Sequence, residues 1–278
     1  MKYESFGGLR DGEAEGAAEL VRTHEIGRER REVMNQDARE RAQEFFEEVR
    51  FNKGEVYQEM REGLERVFNP RRQKVSPQLL KRATEKNGTV DEEYLVRAVK
   101  LNTREADVIF KTMANGLLAT LGVRENHRPD VEIVYDPEDL PLREDGSCPR
   151  GRFYRPTSSR RRELNTENAR QNGKIMVYTP VFDEFEFLPD MLETLAHECF
   201  HAYQLNSARG AREARTDSEQ ASQEIYLRDY QDTRYAKSNE SFAKYYVQGR
   251  ESSAREFGEW TYRAMISVVA DAALEREY

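Results

Sequence analysis

Residues 197 to 201 read His-Glu-Cys-Phe-His. Two imidazoles four positions apart share one face of an α-helix, where both can offer a nitrogen to a single ion. The carboxylate of Glu198 falls about 100° further round the helix. It is displaced from the ligand direction but suited to take a proton from a water molecule beside that ion. The pattern points to metal-assisted hydrolysis, with His197 and His201 as ligands of Zn2+ and Glu198 as general base.

The flanking residues make this a buried helix. Leu188, Leu192, Leu195, Ala196, Cys199, Phe200 and Tyr203 give the segment a wide apolar surface. Pro189-Asp190 followed by Glu193 reads as an N-cap with a capping-box carboxylate, which predicts a helix from about Asp190 to Leu205. Buried imidazoles need partners, and a shared metal ion is one.

Two histidines leave a tetrahedral zinc short of one protein ligand and a water. His24 stands in a charged N-terminal region and His127 precedes the first expected strand, so a downstream carboxylate is the better third ligand. Asp217, Glu219, Glu224, Asp229, Asp232, Glu240, Glu251 and Glu256 are the acidic candidates. Glu251, Ala254 and Phe257 recur every three residues along one side of a helix. A small side chain at Ala254 lets that helix approach the first closely, and Phe257 anchors the same face, which aims Glu251 inward. The metal charge would offset the cost of burying its carboxylate.

His-Glu-Cys-Phe-His followed by Glu-x-x-Ala-x-x-Phe resembles the gluzincin metallopeptidases, particularly the bacterial group whose downstream E-x-x-A-x-x-F-A helix supplies a glutamate ligand. The resemblance spans residues 108 to 260 in layout but only some ten positions in identity. It implies a zinc-dependent peptidase acting on a protein or peptide substrate, with His197, His201 and Glu251 as ligands and Glu198 as base. Two departures stand out. The separation between His201 and Glu251 is longer than in thermolysin-like members, and Gly258 replaces the final alanine. Asn239-Glu240 resembles the thermolysin-like Asn-Glu pair, which keeps Glu240 as an alternative ligand. Tyr245, Tyr246, Arg255 and Tyr262 are candidates for a second donor to the developing oxyanion, against plain packing or surface roles. Two other readings remain open: an inactive scaffold of the same fold that binds or regulates a partner, and a proteolytic effector or toxin domain.

The elements that must position these residues follow from pattern. Helix-favouring sequence runs from about Glu25 to Phe68, with Ala42, Phe45, Phe46, Val49, Val56, Met60, Leu64 and Val67 at three- and four-residue steps. A second helical region runs from Thr89 to Leu121, broken near residues 101–103. Its buried stripe is Val108, Ile109, Met113, Leu117, Leu118 and Leu121, and Gly122 stops it at C′. Three short strands are expected at 131–135, 151–155 and 174–178, the last two separated by a polar loop. Helices then return at 240–248, 251–257 and 260–276. The fold class is α+β, mostly helical, with a small twisted sheet packed on the motif helix in zincin-like fashion. Residues 1–95 read as a helical N-terminal extension with a poorly ordered start, and residues 96–278 as the catalytic domain. In the family layout the strand before the motif helix, here Lys174 to Tyr178, lies at the sheet edge and pairs with extended substrate; an ordinary sheet strand is the alternative.

Composition excludes several classes. A hydrophobic content of 37%, a charged content of 35% and a net charge of −8 describe a charged surface over a modest core, and disfavour nonspecific nucleic-acid binding. Arg160, Arg161 and Arg162 form a local basic run that reads as a solvated loop. No apolar run approaches the ~20 residues of a membrane span. The N-terminal residues lack the apolar stretch of a secretory signal, and the two cysteines, Cys148 and Cys199, make no disulfide framework, which together imply a cytoplasmic protein, with non-classical export left open. Cys199 reads as a small apolar residue, and Cys148 as a turn residue without the spacing of a ligand.

Overall fold

The computed structural model describes residues 32–67, 103–134, 150–156, 163–178, 188–209, 217–231 and 241–274. Expectations for the N-terminal start, residues 89–102 of the second helical region, Cys148, Arg160 to Arg162 and Glu240 lie outside these residues. The described elements in chain order are helix α1 over 32–48, α2 (Lys53–Val67), α3 (Thr103–Thr120), a 3-10 turn (Glu125–His127), β1 (Asp130–Val134), β2 (Gly151–Tyr154), α4 (Glu167–Asn172), β3 (Lys174–Tyr178), α5 (Leu188–Ala208), α6 (Asp217–Gln231), α7 (Phe242–Tyr246) and α8 (Gly249–Leu274). The chain is thus α+β, mostly helical, with one three-stranded sheet among the described residues. No described helix is long and apolar enough to cross a membrane.

Where one long helix was expected up to Phe68, the chain turns. Arg50 adopts a left-handed conformation with φ of 50°, and the Asn52 side chain accepts a hydrogen bond from the Glu55 N–H to start α2. The turn swings Phe51 inward, where its ring lies 5.1 Å from Phe46 and 5.9 Å from Phe200. Phe46 also stacks on Trp260 at 5.0 Å and meets Phe200 edge-on at 5.8 Å. This aromatic cluster pins α1 across α5 and α8, so Ala42, Phe46, Met60 and Leu64 share one core with Leu192, Phe200, Phe257 and Met265.

Helix α3 ends as expected. Gly122 has φ of 72°, its N–H bonds to Ala119 O, and the Val123 N–H reaches Leu118 O, the double bond of a Schellman cap. The stripe itself is Phe110, Met113, Ala114, Leu117, Leu118 and Leu121. Val108 departs from the expectation: it is 59% exposed, because Phe110 and Met113 set the inward direction and Val108 points away from it. The polar stretch before β3 is not all loop. Thr166 caps the short helix α4 by accepting from the Ala169 N–H, and Gly173 closes it with φ of 92°.

The sheet order is β1-β3-β2, with β1 parallel and β2 antiparallel to β3. The strand Lys174–Tyr178 is therefore central, not at the edge. Its composition explains why: Ile175 and Val177 are fully buried, Lys174 and Tyr178 nearly so, and a strand buried on both faces takes the middle. Lys174 is held by the Glu132 carboxylate across the β1 pairing and by Asn165 Oδ1 at 3.2 Å. Among the described residues the edges are β1 and β2.

Candidate metal centre

Helix α5 is already under way at Leu188, so Pro189 and Asp190 lie inside its first turn and Asp190 is not its N-cap. Leu192, Leu195, Ala196, Cys199 and Phe200 are fully buried, as their spacing predicts. That burial fixes the rotation of the helix about its axis. The remaining face, carrying His197, His201 and Gln204, is turned towards the first turn of α8.

Helix α8 runs unbroken from Gly249 to Leu274, joining two segments expected to be separate. Its first turn carries Glu251, which is 2% exposed, with Ala254 and Phe257 fully buried on the same side. The Phe257 ring packs 5.1 Å from Phe200. The two helices cross at Gly258. A Cβ there would lie 2.8 Å from the Glu193 carbonyl oxygen and 3.2 Å from Glu193 Cγ, so the backbones meet without room for a methyl group. This contact accounts for a glycine at position 258.

The crossing brings three ligand-type atoms together. His197 Nε2 and His201 Nε2 are 3.0 Å apart, and Glu251 Oε2 lies 3.7 Å from the first and 3.3 Å from the second. Among the described residues this is the only group of three His, Cys, Asp or Glu side chains that converges in this way. Burial alone would raise the Glu251 carboxyl, but the adjacent His201 and His197 rings outweigh it and hold the group well below the usual carboxylate range. Burial likewise opposes protonation of His201, and the Glu251 carboxylate overrides it and raises the imidazole above its ordinary value. The three side chains together favour a positive charge between them.

The donor set fits a metal ion on size as well as charge. A tetrahedral zinc with bonds of about 2.0–2.1 Å separates its ligand atoms by roughly 3.3–3.4 Å. The three observed separations bracket that value. An ion held by these three donors would keep its opposite side for a fourth.

Glu198 is 8% exposed and stands beside the first residue of β2. A Cβ on Gly151 would meet Thr194 Cγ2 at 2.5 Å and Glu198 Cγ at 3.3 Å, so glycine permits the strand to lie directly on the helix at this point. The strand next to the site is therefore β2, an edge strand among the described residues.

The other sequence candidates fall elsewhere or outside the described atoms. Glu256 accepts from Trp260 Nε1 at 2.9 Å, Glu224 is exposed, and the side chains of Asp217, Glu219, Asp229 and Asp232 are outside the described set. His127 sits in the 3-10 turn. Of the oxyanion candidates, the Tyr246 hydroxyl donates to Asn35 Oδ1 at 2.7 Å and its ring lies 3.8 Å beneath the Arg255 guanidinium. Tyr262 packs against the core.

Three residues near the ligands carried no motif. Gln204 is fully buried, with Oε1 2.9 Å from His201 Nδ1 and Nε2 donating to Arg250 O and Ser253 Oγ, both at 3.1 Å. Its place one turn beyond His201, at i+3, was the one signal that could have marked it. Arg250 and Ser253 flank Glu251, so this network ties the two ligand-bearing turns to each other. Comparison of the chain with known protein families, curated proteins and solved structures gave no match.

Proposed function

We propose that this chain is a zinc-dependent peptidase of the gluzincin kind, built on a zincin-like arrangement of sheet and helices. The observation that carries the reading is the convergence of His197 Nε2, His201 Nε2 and Glu251 Oε2 at separations suited to one face of a zinc tetrahedron. Glu198, one position along from the first of these ligands, supports hydrolysis over simple metal storage.

Zinc held by His197, His201 and Glu251 would supply a Lewis acid for the attacking water and the substrate carbonyl. Glu198 takes the proton that this water loses as its oxygen bonds to the peptide carbonyl carbon. It then returns the proton to the amide nitrogen as the C–N bond breaks. One water is consumed, and a carboxylate and a protonated amine leave, the second water proton passing to the amine. Glu251 contributes the negative charge of the ligand set, and its burial keeps it from exchanging that role for solvation. The substrate is a protein or peptide segment in extended form, and the edge of β2 beside Glu198 is where its main chain pairs.

The test is a comparison of wild type with Glu198→Gln. The expected result is about one zinc per chain in both proteins by elemental analysis, with cleavage of a mixed peptide library by wild type alone. Equal cleavage by the variant would remove Glu198 from the chemistry, and absence of zinc from both would remove the metal.

A further inference from the structure

An imidazole binds a metal through a bare nitrogen, so which nitrogen carries the proton decides whether His201 is ready to ligate. The hydrogen-bond network behind His201 assigns Nδ1 the role of donor. The Arg250 carbonyl can only accept. The Ser253 hydroxyl donates its own proton to that same carbonyl at 3.1 Å, so its oxygen accepts from Gln204. Both groups therefore require the NH2 end of the Gln204 amide, and a flipped amide would set its oxygen against a carbonyl oxygen at 3.1 Å. With the amide so oriented, Gln204 Oε1 faces His201 Nδ1 at 2.9 Å and needs a donor there. Nδ1 therefore carries a proton and donates it to Gln204, and the ring so held directs Nε2 at His197 Nε2 and Glu251 Oε2.

We infer that Gln204 is a positioning residue that accepts from His201 Nδ1–H and so holds the ring with Nε2 aimed at the metal position; in its metal-binding consequence this rests on the function proposed above. The device is anchored in α8 rather than in the helix that carries His201, because both groups orienting the amide flank Glu251. One fully buried side chain thereby couples the proton position of one ligand to the placement of another.

Two measurements test it. The first is a long-range 1H–15N correlation spectrum of the metal-free wild-type chain, read at His201 Nδ1. The expected pattern is a proton on Nδ1; an unprotonated Nδ1 overturns the inference, and no variant is needed to see it. The second is zinc affinity, by competition with a chromophoric chelator, for wild type, Gln204→Met and Gln204→Glu. Methionine removes the acceptor, and the expected loss is about 10–100-fold. Glutamate keeps an acceptor for Nδ1–H and holds affinity within a few-fold of wild type, although its second oxygen faces the Arg250 carbonyl and lowers stability. Unchanged affinity in Gln204→Met, or equal losses in both variants, overturns the inference in favour of simple packing. The spectrum decides the Nδ1 proton whether or not zinc binds, so failure of the metal reading and failure of the Gln204 contact are told apart.

Discussion

Replacing glycine by alanine inside a helix ordinarily stabilises a protein, by about 0.8–1.0 kcal/mol on helix propensity. Gly258 in α8 should reverse that sign. The added methyl would stand 2.8 Å from the Glu193 carbonyl oxygen, where an unstrained contact needs several tenths of an ångström more. The opposing atom is backbone, so no rotamer change relieves it, and α8 must move off α5. Overpacking of this kind costs about 1–3 kcal/mol. Subtracting the propensity gain leaves Gly258→Ala destabilised by roughly 0–2 kcal/mol. A methyl group on Gly63 in α2 would meet nothing within 4 Å, so Gly63→Ala should gain about 0.5–1 kcal/mol. Urea unfolding of both variants in the presence of a chelator isolates the helix crossing from metal binding. If Gly258→Ala gains as much as Gly63→Ala, the helices do not meet this closely, and the reason given for glycine at this position fails.

Phe46→Ala should cost about 3–5 kcal/mol in the same assay, because its buried ring contacts Phe51, Phe200 and Trp260 at the junction of α1, α5 and α8; a loss below about 1 kcal/mol would mean α1 is peripheral. Burial, with Glu198 adding to it, pushes the Cys199 thiol well above the ordinary range. In a Cys148→Ser background it should resist a disulfide reagent in the native protein and react fully in guanidinium, whereas rapid native labelling would contradict its packing. Glu251→Ala should weaken zinc binding by more than the roughly 10–100-fold typical of an outer-sphere partner, measured by chelator competition, and a smaller loss would demote it from ligand.

The motif helix was legible because its signals agreed: an apolar face buried as the spacing demanded, and imidazoles on the face left over. Glu251 was legible through Ala254 and Phe257, whose burial turns the same side of α8 inward. Sheet order was not. Lys174 to Tyr178 has the same length and β-rich composition as an edge strand, and its central place depends on pairing with two segments distant in sequence. The break at Arg50 was hidden for a different reason, since a single left-handed residue outside glycine leaves no mark in a charged helical pattern. Gln204 escaped notice because a buried amide means nothing until the Arg250 carbonyl and Ser253 hydroxyl that orient it are known. The same holds for Gly151, whose use appears only once β2 lies on α5.

Anomalous diffraction at the zinc edge from a crystal of the zinc-loaded chain tests the central claim most directly. One peak is predicted about 2.0–2.2 Å from His197 Nε2, His201 Nε2 and a Glu251 carboxylate oxygen, with a fourth position left to solvent. Zinc found at other side chains, or no peak between these three, would contradict the account.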